Sequence, residues 1–278
     1  TNKFGDVVDT HPECDYTVSD AAMTSGFEWP QGWSPESVFG GITAMMTEFD
    51  WPAARALLSE IASHAQEHSR KDALELLSLL LDRRYDCGSL RRSRWLDFVE
   101  DTIYSTLQHA SNMPCEHYLG QRTMGHRPQP NSTAQTVVVD ARPYPIEGIH
   151  SLARELVALH RAGWRNFSVI HCRGHRFIGN GFGPETEDVR IDVFGSVGDY
   201  LGSGSDGMTI IMHGNGQDQV AQIHKRGTLV VHGDVGQCYG YGAKGGELFV
   251  LGNAAGRPMI NSVGGPRLVI NGTALDYL

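Results

Sequence analysis

Cysteine is scarce in this chain of 278 residues. Its five cysteines, Cys14, Cys87, Cys115, Cys172 and Cys238, are odd in number and irregularly spaced, and none forms a Cys-x-x-Cys pair. That pattern excludes a disulfide framework and points to a reducing, cytoplasmic compartment. Basic charge is also short: Lys and Arg number 23 against 32 Asp and Glu, a formal net charge of −9. A nucleic-acid binder would carry a basic excess or stripe. The one basic cluster, Arg91-Arg92-Ser93-Arg94, has Asp97, Glu100 and Asp101 close by and reads as a solvated helix face. No apolar run approaches the roughly 18 residues that span a bilayer, so no membrane span is expected. The opening residues Thr1–Asp6 hold no apolar stretch of the signal-peptide kind.

Glycine, by contrast, is abundant and unevenly placed. Of 33 glycines, 23 lie from Gly174 onward and 10 before it. This shift divides the chain into a helical N-terminal region, 1–135, and a glycine-rich region, 136–278. After an irregular, aromatic-rich opening, Asp50 caps a helix with Pro52 near its first position. Leu57, Leu58 and Ile61 recur at helical spacing, as do Leu74, Leu77, Leu80 and Leu81, with a break near His68-Ser69. A third helix is predicted over 93–110 with Trp95, Phe98, Val99, Ile103 and Leu107 on one face. Residues 111–135 carry Pro114, Gly120, Gly125, Pro128 and Pro130 and read as a linker. Then come a strand at 136–140, a helix at 147–162 and a strand at 166–171.

The glycine-rich region repeats. Five segments align: Ile191–Gly195, Ile210–Gly214, Leu229–Gly233, Leu248–Gly252 and Leu268–Gly272. Their terminal glycines are 19, 19, 19 and 20 residues apart. Gly195-x-x-Gly198-x-x-x-Gly202 and Gly233-x-x-Gly236-x-x-x-Gly240 share offsets, and Gly207, Gly227, Gly246 and Gly265 precede the strands. Each unit supplies one strand, glycines turn the chain where other residues would be strained, and the fixed step stacks successive strands in parallel. The rows Ile191/Ile210/Leu229/Leu248/Leu268 and Val193/Met212/Val231/Val250/Ile270 are apolar throughout and face the interior of a β-solenoid. The opposite row is Asp192/Ile211/Val230/Phe249/Val269. It turns apolar after the first unit, so Ile211, Val230, Phe249 and Val269 form a candidate partner face, to be covered by this chain's helices or by another subunit. The sequence stops at Leu278, after the fifth glycine, and a solenoid end needs a cap. Either a partner at that end or further native chain is expected.

These units resemble the C-terminal GXGXG domain of the glutamate synthase large subunit. The same domain stands as a separate subunit in N-methylglutamate synthase-like complexes. A related one forms the GXGXG-type subunit of formylmethanofuran dehydrogenase and of its formyltransferase/hydrolase counterpart. The resemblance runs over about 136–278. It is carried by Val137-Val138-Val139-Asp140, by Ile170-His171-Cys172-Arg173-Gly174-His175-Arg176-Phe177-Ile178-Gly179, by Val193 to Gly202, by His213-Gly214-Asn215-Gly216-Gln217-Asp218 and by Tyr239 to Gly246. It implies a right-handed parallel β-helix that does no chemistry itself and docks beside catalytic subunits. It also implies that FMN, iron–sulfur or molybdenum/tungsten centres sit on those other subunits, with no catalytic residue, cofactor or metal in this chain. The chain has no cysteine nucleophile at its first residue, no Cys-x-x-Cys ligation and no flavin-barrel sequence. Residues 1–135 resemble no named family and are expected to dock or cap.

Several residues could carry chemistry. In His171-Cys172-Arg173-Gly174-His175, strand alternation puts His171 and Cys172 on opposite faces, so the segment reads as structural. His213 and His232 hold equivalent places in successive units and should stack. Two imidazoles are able to hold a metal or a phosphate, but without further ligands they read as a surface ladder. Cys115-Glu116-His117 and His11-Pro12-Glu13-Cys14 would make a metal site only if the N-terminus folded back. Gly179-x-Gly181-x-Gly183 lacks the helix that a nucleotide loop opens. Asp199 and Asp218 read as turn residues bonding nearby backbone N–H groups. A 19-residue step also excludes the six-residue repeat of hexapeptide acyltransferases. The expectation is a non-catalytic docking subunit of a glutamate synthase-like amidotransferase/oxidoreductase complex. The alternatives are the corresponding GXGXG-type subunit of a formylmethanofuran dehydrogenase-type complex, or a stand-alone binding module.

Overall fold

The structure is a computed structural model. It describes residues 25–27, 32–67, 69–112, 118–121, 125, 127–130 and 135–275. Five α-helices lie among these residues: α1 (Pro35–Met45), α2 (Trp51–Glu67), α3 (Arg70–Asp82), α4 (Arg92–Asn112) and α5 (Leu152–Arg161). Eight strands form one parallel sheet in sequence order: β1 (Tyr118–Gly120), β2 (Thr136–Asp140), β3 (Asn166–His175), β4 (Arg190–Val197), β5 (Asp206–Met212), β6 (Arg226–Val231), β7 (Glu247–Val250) and β8 (Arg267–Ile270). A helical N-terminal region followed by a parallel β-solenoid is thus the architecture.

The helix signals act as the sequence reading expects. Asp50 accepts a hydrogen bond from the Ala53 N–H at 2.9 Å, capping α2, and Ser69 accepts from Asp72 N–H at 3.2 Å, capping α3. Helix α1 corrects the reading of an irregular opening: Ser34 and Ser37 form a reciprocal capping box, with Pro35 in the first turn. The helix predicted over 147–162 begins only at Leu152, because Gly148 stands at a left-handed φ of 99°. Strand β1 lies inside the segment read as a linker and pairs with β2, so the sheet starts earlier than residue 136.

The sheet has a core on each face. Val137, Val139, Val169, Val193, Met212, Leu229 and Leu248 point into the coil and share one core with Leu152, Leu156 and Leu159 of α5, which packs on β3. Their neighbours Val138, Ile170 and Phe194 point out and join the core of α1–α4. Period-two alternation therefore feeds two cores from one strand, as both-faces-covered parallel strands require. Helix α4 lies against β1, β2 and β3. Of the predicted partner face, Ile211, Val230 and Phe249 are half-buried and Val269 is 42% exposed.

The glycines meet two needs where the sequence reading gave them one, and Gly195 meets both, since a Cβ there would also overlap the Cys172 carbonyl oxygen. Gly195, Gly202 and Gly240 have left-handed φ values of 111°, 65° and 68°. Gly198, Gly214, Gly233, Gly236, Gly252 and Gly272 do not; a Cβ on any of them would overlap an oxygen of the preceding coil. At Gly214 that atom is the carbonyl oxygen of Gly195, and at Gly272 that of Gly252. The N–H groups of Gly233, Gly252 and Gly272 donate to the carbonyls of Gly214, Gly233 and Gly252 at 3.0, 3.1 and 2.9 Å. This column is glycine because the coils touch there.

The left-handed corners follow a different rule. Three columns at the 19-residue step, Tyr200/Gln219/Cys238/Arg257, Gly202/Ala221/Gly240/Met259 and Gly204/Ile223/Gly242/Asn261, all hold φ between 55° and 69°. Only four of these twelve residues are glycine. Coil-to-coil bonds hold the rest in place, such as Gln219 N–H to Gln237 O at 2.8 Å and Ala221 N–H to Leu201 O at 2.8 Å. Among the described residues no helix is long and apolar enough to cross a membrane.

Candidate functional site

Two pieces of local structure converge where the helical layer ends over the sheet. The first is a rung. The register Val193↔Met212↔Val231 puts Phe194, His213 and His232 at one position in three successive coils. Their rings stack: Phe194 on His213 at 4.2 Å and 5°, and His213 on His232 at 5.6 Å and 3°. The second is the end of α3. Ala73, Leu74, Leu76, Leu77 and Leu80 are buried, which sets the rotation of the helix. That rotation brings the carboxylate of its last residue, Asp82, over the histidine rung.

The result is a buried charge cluster. His213 Nδ1 lies 2.9 Å from Asp82 Oδ2, and its Nε2 lies 3.2 Å from Asp192 Oδ1. Asp192 is gripped by Arg190, with Nε to Oδ2 at 2.7 Å and Nη2 to Oδ1 at 2.8 Å. His232 Nε2 lies 3.4 Å from the same Asp82 Oδ2. The His213 side chain is 5% exposed, Asp82 9% and His232 19%.

The electrostatics follow from this placement. Burial alone would push His213 down, but the carboxylates of Asp82 and Asp192 outweigh it and raise the imidazole to about 9. His213 is therefore an imidazolium at neutral pH. Burial would raise Asp192, yet the hydrogen bonds from His213 and Arg190 hold it below the usual carboxylate range. His232 is pushed down by burial first, with Asp82 opposing and the His213 charge adding to the drop. One charged and one neutral imidazole thus share a single carboxylate oxygen.

A cleft of about 600 Å³ opens beside this cluster, between α3 and the outward face of β1–β5. His213, Asp192, Arg190, Ser168, Lys71 and Glu75 supply its polar wall, and Leu74, Leu107 and Phe194 its apolar one. Such a cavity has the size of a small-molecule site.

The other candidates fall out as follows. His213 and His232 stack as the repeat predicts, but Asp82 and α3 cover them, so they are not an open surface ladder. His171 and Cys172 do face apart. His171 stacks on Tyr104 of α4 at 4.1 Å, with Nδ1 3.3 Å from Asp140, while Cys172 sits in the solenoid core. A bulge brings Cys172 Sγ within 3.6 Å of His175 Nδ1. Asp199 and Asp218 do bond backbone N–H groups, but one coil onward: Asp199 takes the Asp218 N–H at 3.2 Å and Asp218 the Gln237 N–H at 2.8 Å. Gly179, Gly181 and Gly183 lead into β4, not into a helix. Cys115, Glu116, His117 and the segment 11–14 lie outside the described residues. Sequence reasoning missed Asp82, because nothing in the spacing of 82, 213 and 232 links a helix end to a solenoid rung.

Fold and site together define a helix-covered parallel β-solenoid with a carboxylate–imidazole cluster between its layers. No protein-family model, curated protein or solved structure matches this chain.

Proposed function

We propose that the chain is a docking subunit of a multi-subunit glutamate synthase-like amidotransferase/oxidoreductase complex. One observation carries this reading: the core of the helical layer takes in Val138, Ile170 and Phe194 of β2–β4, and the outward apolar row continues beyond them to a Val269 that is 42% exposed. A row of this kind on a rigid parallel sheet suits a flat protein partner better than a small ligand. The glycine repeats and their resemblance to the GXGXG domain support the same reading. FMN, iron–sulfur or molybdenum/tungsten centres then belong to the other subunits. The GXGXG-type subunit of a formylmethanofuran dehydrogenase-type complex is the alternative within this class.

Native mass spectrometry of the complex purified through this chain tests the proposal. A stoichiometric amidotransferase with a flavin-barrel subunit supports it, and a molybdopterin subunit with an amidohydrolase-like subunit supports the alternative. A stable monomer that carries its own flavin or cluster would sink both. The cleft beside His213 favours a second reading, a stand-alone binding module, in which a small ligand co-purifies with the monomer.

A further inference from the structure

The carboxylate of Asp82 is only half used. Its Oδ2 meets both histidines, whereas Oδ1 is buried without a hydrogen-bond partner among the described residues. His232 Nδ1 is buried and unpartnered in the same cluster. A single hydrogen bond between His213 and Asp82 leaves no role for a second imidazole aimed at the same oxygen. A bound cation would give both imidazoles a role at that carboxylate.

We infer that Asp82, His213 and His232 form a binding site for one divalent first-row transition ion of the Zn²⁺ type. One ligand atom from each of the three residues lies within 4.8 Å of the others. Zinc bonds to nitrogen and carboxylate oxygen are about 2.0–2.2 Å, which places tetrahedral ligand atoms roughly 3.3 Å apart. The two Asp82–histidine separations, 2.9 and 3.4 Å, bracket that value. The histidine–histidine edge is no longer than 4.8 Å, and because the two rings are 3° from parallel, His232 must turn out of the stack to aim its nitrogen at an ion shared with His213. Two imidazoles and one carboxylate favour such an ion over Mg²⁺ or Ca²⁺, which prefer all-oxygen shells.

The surroundings also match. A metal-bound histidine usually gives its other nitrogen to a carboxylate that fixes the ring. Asp192 does this for His213 at 3.2 Å, and Arg190 fixes Asp192 in turn. Phe194 limits the tilt of the His213 ring by stacking on it. Three protein ligands leave at least one coordination position to water or to a ligand. The adjoining cleft, with His213 and Asp192 in its wall, gives such a ligand room.

The test uses the full chain, stripped with EDTA, dialysed and titrated with Zn²⁺ alone. Equilibrium dialysis with elemental quantification should find one equivalent at a Kd on the order of 1 μM or tighter. His232→Ala and Asp82→Asn should each weaken it at least about tenfold, with far-UV circular dichroism unchanged; Asp192→Asn, which removes only the orienting carboxylate, should weaken it about tenfold. Absence of a saturable site in the native chain would overturn the inference. So would one equivalent bound equally well by both ligand variants. Should neither variant fold, X-ray absorption of the Zn²⁺-loaded native chain decides: imidazole and oxygen neighbours support the site, and sulfur neighbours exclude it.

Discussion

His213 and His232 lie face to face, ring centroids 5.6 Å apart and planes 3° from parallel, over the single carboxylate of Asp82. The stack is a product of the repeat: one coil step carries the first ring onto the second. The carboxylate comes from a helix end 131 residues before His213 in the chain. This pairing makes the rung a place where charge is held between the two layers.

The first prediction concerns pH. In EDTA, the folded chain holds the His213 proton to about pH 9, against an ordinary value of 6.5. A raised folded-state value stabilises fully below about 6.5, fades between the two values and is absent above about 9. The contribution is at most about 3 kcal/mol at 1.36 kcal/mol per pH unit. Urea midpoints measured from pH 6 to 10 should fall across that window, and His213→Gln should flatten the fall. At the acid end, Asp192 is held low, so its contribution fades only as pH drops below its ordinary 3.8.

Two glycine substitutions should separate the two glycine roles. Gly214→Ala drives a Cβ into the Gly195 carbonyl oxygen and should destabilise by about 3 kcal/mol or more. Gly204→Ala meets nothing within 4 Å, though its φ is 69°, and should lose only about 1–2 kcal/mol. Equal losses in chemical denaturation would contradict the distinction.

Side-chain ladders tie the coils on the solvent side. Asn215 accepts from Asp234 N–H at 2.8 Å, Asp234 from Asn253 N–H at 2.7 Å, and Asn253 from Thr273 N–H at 3.0 Å. Asp234→Ala should reduce stability by about 1 kcal/mol, since the freed N–H is solvent-accessible. Hydrogen exchange at Asn253 should speed up while the buried amide of Val250 stays protected.

The docking proposal makes a surface prediction. Val269→Glu changes an exposed position, so thermal stability should move by no more than about 0.5 kcal/mol. Retention of the partner subunit in the native complex should drop. Unchanged retention would remove Val269 from the interface.

The interior rows from Ile191 to Leu248 and from Val193 to Val250 were legible without coordinates. An apolar residue at every 19th position has only one economical arrangement, stacked strands with those side chains inward. The reason for each glycine was not legible. A left-handed corner and a backbone contact between coils look alike in one dimension, and eight of the twelve left-handed corner positions carry a side chain. Helix α1 has its signal in Ser34-Pro35, set among irregular neighbours that carry no helical period.

By itself, the amino-acid sequence determined the step of the coil, the inward rows and the stacking of His213 on His232, because each depends on a period that repeats along one chain. The covering of the first coils by α1–α4 and the arrival of Asp82 were decided only by tertiary structure. No spacing encodes how far a helix reaches across a sheet. That distance is set by how Val138, Ile170 and Phe194 pack under α4 and its neighbours, and it brings Asp82 within hydrogen-bonding distance of His213.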